Sequence, residues 1–491
     1  MTTTTTSQQP AAAGAAPGPG KLPRISYFGY AAGDMANNLA FTTATMFLLV
    51  YYTDVAGISA AAAGTLFLVA RIFDAFTDVW AGRVVDKTYT RRWGKFRPFI
   101  LFGAFPLLAL TFATFHVPQI GESGMLLYAY VTYIALGLAY TFVNIPYGSL
   151  AAAMTQVPAE RAKLASARTI GAAVTGGFLG IFVAPMLTSD RDLQQVFTNV
   201  TLLFVVVGCA LYFFTFMTAK ERVERDVPHV SMRQSFANLK GNKPLLMLCV
   251  STLLLLTGMI TSSTASIYFL RDVFQSLHLY PVVAGSQLVL MLVVAPFVPK
   301  VVRRFGKRTA YIAGGIIGAT GSTIAFLAPS VWIALAGNIL GMFGILFVSI
   351  VIWALEADTV EYGEWKTGVR TEGTTYAIFS FTRKAGQALG GALGAYALAV
   401  GGYVAGAEVQ STAAEWGIRA AAGLIPALLT LGAALVMLAY PLTDDLHARI
   451  VSEIKERRAA AGDEAAHDPH TSTAALATED PQPPFSGTDT K

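Results

Sequence analysis

Hydrophobic residues in this chain come in long, nearly continuous runs. Twelve of them, at about 26–52, 58–85, 98–116, 124–152, 165–187, 195–219, 243–270, 281–300, 309–328, 331–357, 373–402 and 418–441, are each long enough to cross roughly 30 Å of hydrocarbon as a helix. The pattern predicts an all-α membrane protein with twelve transmembrane helices. Several runs contain Gly or Pro, which membrane helices tolerate when neighbouring helices cover the freed backbone groups. In the fourth run Pro146 marks a local break.

The polar breaks alternate in charge. Loops after the even-numbered runs hold Arg91, Arg92 and Lys95, then Arg161 and Lys163, then Lys220, Arg222, Arg225, Arg233 and Lys240. Later ones hold Arg303, Arg304, Lys307 and Arg308, then Lys366 and Arg370. The loops between the first and second, third and fourth, and ninth and tenth runs have no Lys or Arg, and Arg191 and Arg271 are isolated exceptions on that side. By the positive-inside rule both termini face the cytoplasm. RRWGKFR at 91–97 returns as RRFGKRT at 303–309, each between the second and third helices of a six-helix half. The chain therefore reads as two pseudo-symmetric six-helix bundles, 23–219 and 244–445, joined by a basic cytoplasmic linker, 220–243. Residues 1–22 read as a disordered cytoplasmic tail, and 446–491 as a cytoplasmic tail that is mostly disordered, from about 459 onward.

Composition agrees with a membrane reading. Only 13% of the 491 residues are charged while 54% are hydrophobic, against roughly a quarter charged in a soluble protein. The net charge of +5 sits in short loops rather than on one face of a soluble domain, so no nucleic-acid partner is expected. Cys209 and Cys249 lie in apolar runs and read as small core residues.

Three charged residues interrupt the second run. Arg71, Asp74 and Asp78 are spaced i, i+3, i+7, so a helix sets them on one face. Ionised groups at bilayer depth are costly and usually line an interior cavity or ion path. Asp74, Thr77 and Asp78 offer several oxygens within about one turn; hard cations take oxygen ligands, and paired carboxylates favour holding a proton. Arg71 is equally placed to neutralise either acid as a structural ion pair. In the first run Asp34 is followed by Asn37 and Asn38. They form either an interhelical hydrogen-bond cluster or a set of sugar-hydroxyl acceptors facing a cavity. Thr141 and Asn144 share a face of the fourth helix. Arg168 enters the fifth helix soon after its loop, where it can snorkel or reach a ligand. Arg383 and Lys384 stand well inside the eleventh helix; about 100° apart, only one faces a cavity squarely. Glu356, Asp358 and Glu361, ending the tenth run, read as interdomain salt-bridge partners for the basic loops. No HExxH, GxSxG or Walker A motif is present. The chain is not expected to be an enzyme or, by itself, an ATP-driven pump.

The segments GYAAGDMANN, YYTDVAGISAAAAGTLFLVARIFDAFTD, RWGKFRPFILFG, VNIPYGSLAAAMTQ, ALEADTVEYGEW and FSFTRKAGQALGG resemble the glycoside–pentoside–hexuronide:cation symporters of the major facilitator superfamily. The likeness covers about 25–445, and NIPYGSL, WALEADTVEYGE and FSFTRK resemble the branch of bacterial glucuronide carriers. It implies the major facilitator fold and cation-coupled sugar symport by alternating access. The sodium–melibiose branch uses two acids and an amide on the second helix and a threonine on the fourth, which match Asp74, Thr77, Asp78 and Thr141. Thr77 replaces the amide, so a proton is the expected coupling ion, with sodium the alternative and no other cofactor. That branch holds sugar with acids on the first and fourth helices, an arginine on the fifth and a lysine on the eleventh. Asp34, Arg168 and Lys384 match, while Asn144 replaces the fourth-helix acid and Gly148 the tryptophan after it. An amide at 144 binds hydroxyls without repelling a uronic acid. Asn38 and Arg383 complete the expected substrate set. Arg92, Gly94, Lys95 and Arg97 are expected in a cytoplasmic gate between the halves. The expected partners are a small glycoside or uronide, a coupling cation and membrane lipid, with the carrier working as a monomer in the bacterial cell membrane. The alternatives are a neutral glycoside or pentoside, or a lysolipid carrier or sensor on the same fold.

Overall fold

The computed structural model describes residues 22–155, 157–187, 192–222, 241–294, 297–368, 372–407 and 409–467. The expected N-terminal tail, most of the linker and the end of the C-terminal tail lie outside the described residues. The first half holds α1 (Arg24–Val50), α2 (Ala60–Lys87), α3 (Arg97–Thr114), α4 (Glu122–Met154), α5 (Pro158–Phe178) and α6 (Leu193–Thr218). The second holds α7 (Lys243–Tyr268), α8 (Tyr280–Val294), the short α9 (Val298–Phe305), α10 (Lys307–Leu327), α11 (Val331–Thr367) and α12 (Glu372–Gly401). It ends with α13 (Thr412–Arg419), which passes through a π turn into α14 (Ile425–Leu438), and with α15 (Asp444–His467). Among the described residues, ten helical stretches are long and apolar enough to cross a membrane. α1 and α12 are also long, but Asp34, Asn37 and Asn38 in one and Arg383 and Lys384 in the other dilute their apolar character. Large apolar side chains such as Phe102, Phe105, Val206, Leu292 and Trp332 are exposed, as a hydrocarbon solvent permits.

Within the first half α1 lies on α5 and α6, α2 on α4, and α3 on α4 and α6; within the second α10 lies on α11, and α7 on α12 and α14. The halves meet where α2 packs on α12, α1 on α7 and α5 on α8. The distribution of buried apolar side chains shows at which end. One core joins the halves, running from Phe47, Tyr52 and Phe67 through Leu179 to Tyr268, Tyr280 and Leu398. Towards the other end there are two separate cores. One, around Leu107, Tyr147 and Tyr212, belongs wholly to the first half, and one, around Tyr311, Leu355 and Met437, wholly to the second. The molecule is closed at the end reached by the loops after α1, α7 and α12, and its halves part towards the end that carries the basic loops.

Several element boundaries differ from the sequence expectation. Pro146 does not break α4, which is continuous from Glu122 to Met154; buried Val143 and Tyr147 on either side anchor the helix across the missing hydrogen bond. Where one run to near 300 was expected, the described residues show α8 as far as Val294 and a separate helix, Val298–Phe305, with a proline at its start. α11 continues past the apolar run to Thr367, burying Asp358 and Glu364. α15 extends to His467, past the expected start of disorder, with Ile450 and Ile454 in the second-half core.

The expected interdomain role of Asp358 and Glu361 is not what the structure shows. Lys307 Nζ lies 2.6 Å from Asp358, and His447 of α15 contacts Glu361. Both pairs are internal to the second half, because α15 folds back along the extension of α11.

Candidate substrate and cation site

Where the halves part, α1, α2, α4, α5 and α12 contribute a string of ionic and polar side chains. In the first half Arg168 Nε donates to Asp34 Oδ1 at 2.8 Å. The Arg168 side chain is 41% exposed and Asp34 5%, so the arginine covers the acid and itself faces the open space. It also lies over the Tyr147 ring, 5.4 Å from its centroid. Asn38 Nδ2 donates to Asp34 Oδ2 at 2.9 Å, and Asn38 Oδ1 accepts from Thr42. Asn37, by contrast, is engaged by Tyr212 inside the half. Arg168 is thus neither a snorkelling residue nor free, but one member of a polar cluster with Asp34 and Asn38.

One helix away, Arg71 Nη1 is 3.3 Å from Asp74 Oδ2, the i,i+3 pair that the spacing allows. Asp74 Oδ1 is buried and has no hydrogen-bond partner. Ala70, Arg71, Asp74, Tyr133, Gly137 and Tyr140 line a small pocket here. A Cβ on Gly137 would sit 2.5 Å from Asp74 Oδ1, so glycine leaves the space this oxygen occupies. Gly137→Ala is expected to displace the Asp74 carboxylate without loss of folding, since alanine favours helix. The half-saturating concentration of the coupling cation should change several-fold while sugar affinity at saturating cation stays near normal. Uptake measured against cation concentration at matched protein levels checks this, and unchanged cation dependence would remove Asp74 Oδ1 from the site.

Asp78 is the point where the halves touch inside this space. Thr141 Oγ1 donates to Asp78 Oδ1 at 2.9 Å from α4, and Lys384 of α12 forms an ion pair with Asp78 Oδ2. Thr77 is turned aside, with its hydroxyl on the Asp74 backbone carbonyl. Arg383 points elsewhere, over the Trp353 ring at 4.8 Å, as the angle between adjacent helical residues requires. Asn144 is half-buried, and its Oδ1 has no partner. The structure therefore brings Asp34, Asn38 and Arg168 together, Arg71 and Asp74 together, and Asp78, Thr141 and Lys384 together. Arg71, Tyr133, Tyr140 and Gly137 belong to the site although the substrate and cation sets read from the sequence did not include them.

Three of the four residues expected in the gate, Gly94, Lys95 and Arg97, gather around an acid that the sequence reading overlooked, Glu221. Backbone N–H groups of Lys95, Phe96 and Arg97 all donate to the Glu221 carboxylate, at 2.9, 2.8 and 3.1 Å. Glu221 thereby caps α3 from the end of α6. Gly94 has φ +83° and a Cβ there would lie 2.6 Å from that carboxylate. Arg97 reaches the Phe216 carbonyl, and Arg92 lies over Trp93. The repeat reproduces the device: Gly306 has φ +81°, Asp444 accepts from Lys307 N at 2.9 Å, and Arg308 reaches the Met437 carbonyl. In this state these contacts of the motif lie inside each half. An acid shortly after the last helix of each half is the signal that could have found Glu221 and Asp444.

Two helical halves closed at one end around a polar cleft define a carrier of the major facilitator type, not an enzyme. Comparison with known proteins agrees. Residues 29–444 match the family of MFS/sugar transport proteins. The chain is 45% identical over 437 residues to the glucuronide carrier protein homolog of Escherichia coli (strain K12), covering 88% of this chain and 95% of that one. It is 33% identical to the isoprimeverose transporter of Lactiplantibacillus pentosus, covering 89% and 92%. It is 34% identical to a putative sulfoquinovose importer of Salmonella typhimurium (strain LT2), covering 87% and 92%. The fold is shared with a bacterial homologue of the lysosomal transporter Spinster in an inward-facing, unoccupied conformation (TM-score 0.61, 13% identity, 86% of this chain and 98% of that one). It is also shared with a mutant of the nucleoside transporter NupG (TM-score 0.60, 13% identity, 85% and 100%). The chain belongs to the glycoside–pentoside–hexuronide:cation symporter family of the major facilitator superfamily. It is an integral membrane sugar transporter.

Proposed function

We propose that this carrier imports a glucuronide or a closely related anionic glycoside together with a proton, by alternating access. The observation that carries the reading is the ion pair of Lys384 with Asp78 across the cleft. Arg71, Arg168 and Lys384 balance the three carboxylates of Asp34, Asp74 and Asp78. A proton taken up by Asp78 would leave one cation in surplus, which an anionic sugar neutralises. Asn144, with an unengaged amide oxygen, suits a hydroxyl donor and adds no repulsion. The name of the 45% identical relative points to the same substrate class.

A coupling scheme follows from the ion pair across the cleft. In the empty carrier Lys384 neutralises Asp78. A proton on Asp78 releases the ammonium group, which is then free for the substrate carboxylate, a charge-assisted partner worth more than a neutral one. A sodium ion would need several oxygens in one shell, whereas Asp74 and Asp78 are directed to different partners, Arg71 and Lys384. This favours the proton. Lys- and Arg-rich loops at the open end support a cytoplasmic placing of that end, and with it an inward-open arrangement. The carrier works as a monomer, with each half moving about the central site.

The test is electrical. A uronide carries one negative charge at neutral pH, because its carboxyl group titrates far lower, around pH 3–4. Moved with one proton, it carries no net charge across the membrane. The potential, about 2.3 kcal/mol per charge per 100 mV, then contributes nothing to accumulation. Uptake of a labelled glucuronide into proteoliposomes should respond to a pH gradient and barely to a potassium–valinomycin potential at fixed pH. A strong increase in steady-state accumulation with an inside-negative potential would mean a neutral natural substrate or more than one cation per cycle.

A further inference from the structure

At the closed end, α1 and α7 finish in equivalent π turns, Tyr51–Val55 and Phe269–Val273. Each closes on Asp-Val, Asp54-Val55 after Thr53 in one half and Asp272-Val273 after Arg271 in the other. The two acids are repeat mates, and a single arginine serves both. Arg271 Nη2 is 2.6 Å from Asp54 Oδ2 across the halves. The same guanidinium meets Asp272 of its own half edge-on, Nε to Oδ1 at 2.9 Å and Nη2 to Oδ2 at 3.0 Å. Tyr403, after α12, donates to Asp54 Oδ1 at 2.9 Å and accepts from Arg271 at 2.9 Å. Thr53 and Tyr268 share a hydrogen bond across the same seam. The Arg271 side chain is 14% exposed and Asp54 6%, so the cluster is buried on the outer face of the joint core.

We propose that Asp54 and Asp272 act on Arg271 with opposite sign, Asp54 as the latch that holds this end shut and Asp272 as the partner that permits it to open. The geometry supplies the reason. Breaking a buried ion pair by removing one partner is costly because it strands the other charge. When the halves part, Asp54 leaves with Thr53, but Arg271, Asp272 and Tyr403 travel together on the second half. Arg271 is therefore never stranded, and the opening costs only the Asp54 contacts, with Asp54 going into water. Without Asp272 the same motion would leave the arginine with Tyr403 alone. A pair of sites can bias a two-state equilibrium only through contacts that differ between the states: the Asp54 contact exists only when closed, and the Asp272 contact matters most when open. The inference rests on alternating access and is independent of which sugar or ion is carried.

The test reads the conformation without substrate. Spin labels at Ile120→Cys and Val404→Cys, both exposed in loops at this end, report its opening by pulsed electron resonance in nanodiscs, with Cys209 and Cys249 replaced by alanine. Asp54→Asn should raise the ratio of long- to short-distance populations roughly tenfold, a usual size for such coupling. Asp272→Asn should lower it below that of the parent. In an Arg271→Leu background Asp272→Asn should have no effect. Shifts of the two acid variants in the same direction, or no shift in either, would overturn the assignment and show a merely structural cluster. If Asp272→Asn does not assemble, Asp272→Ser is read in its place against the same parent. Distances that respond as expected while glucuronide is not transported would retain the latch and reject only the substrate.

Discussion

Asp78→Asn is expected to abolish uphill accumulation of substrate while leaving exchange across the membrane. Asparagine resembles the protonated acid: it keeps the hydrogen bond with Thr141, which lies 2.9 Å from Asp78 Oδ1, and releases Lys384 permanently. The loaded carrier should therefore still bind a uronide and still change state, so counterflow of labelled against unlabelled substrate persists. The empty carrier is different. In the proposed scheme the parent returns with Lys384 neutralised by Asp78; in the variant the ammonium group has lost that partner while Asp34 and Asp74 remain engaged by Arg168 and Arg71, and an unpaired cation at bilayer depth is costly to move through an occluded state. Net uptake should fall by a factor of at least about ten, since 1.4 kcal/mol on the return barrier already suffices, and its dependence on the pH gradient should vanish. Counterflow and gradient-driven uptake measured side by side in proteoliposomes check this. Full concentrative uptake by the variant would reject Asp78 as the coupling site.

How much of this could be read from the chain alone depends on the range of the interaction. The spanning helices were legible because hydrocarbon imposes a single requirement, a long apolar run, on every segment that crosses it. The Arg71–Asp74 pair was legible because i,i+3 is a local spacing. Boundaries failed where helices run on beyond the apolar stretches: α11 past residue 357 packs Tyr362 and Trp365 against the second-half core and α15 buries Ile450 and Ile454 in it, and no hydropathy run announces that. Pro146 misled because the cost of a proline in a helix depends on the packing around it, which the local sequence does not contain. The pairing of Lys384 with Asp78 spans 306 positions, and that of Arg168 with Asp34 spans 134. Both residue sets were recognisable as candidates, yet which cation meets which acid is decided by helix packing. Glu221 left only a positional trace, an acid shortly after the last helix of its half, because its role exists only once the end of α6 reaches the start of α3. Arg271 did leave a trace, as a lone cation on the side otherwise poor in Lys and Arg, and its meaning appears only with Asp54 beside it.

Lys384→Gln should separate anionic from neutral sugars. In the scheme above the ammonium group has two carboxylate partners in turn, Asp78 when the cleft is empty and the uronide when it is loaded. Glutamine of similar length can still donate a hydrogen bond to either but carries no charge. A hydrogen bond to a charged group contributes about 1.5–3 kcal/mol, so binding of a glucuronide should weaken by roughly tenfold to a hundredfold beyond any change for the glucoside with the same aglycone. The neutral sugar has nothing to lose at this position except a hydroxyl contact, which glutamine can replace. Asp78 keeps Thr141 and is 18% exposed towards the cleft, so it remains hydrated when the lysine charge is removed and the site should not collapse. Lys384→Arg preserves the charge with a bulkier, planar group, and should retain more of the preference for the uronide than Lys384→Gln at some cost to both sugars. Calorimetric titration of the purified carrier with the matched pair, both at one fixed pH, gives the two affinities directly. Equal losses for both sugars would make Lys384 a hydroxyl ligand or a structural residue, and would move the carboxylate to Arg168, which already faces the cleft over Tyr147, or to Arg383 beside Trp353.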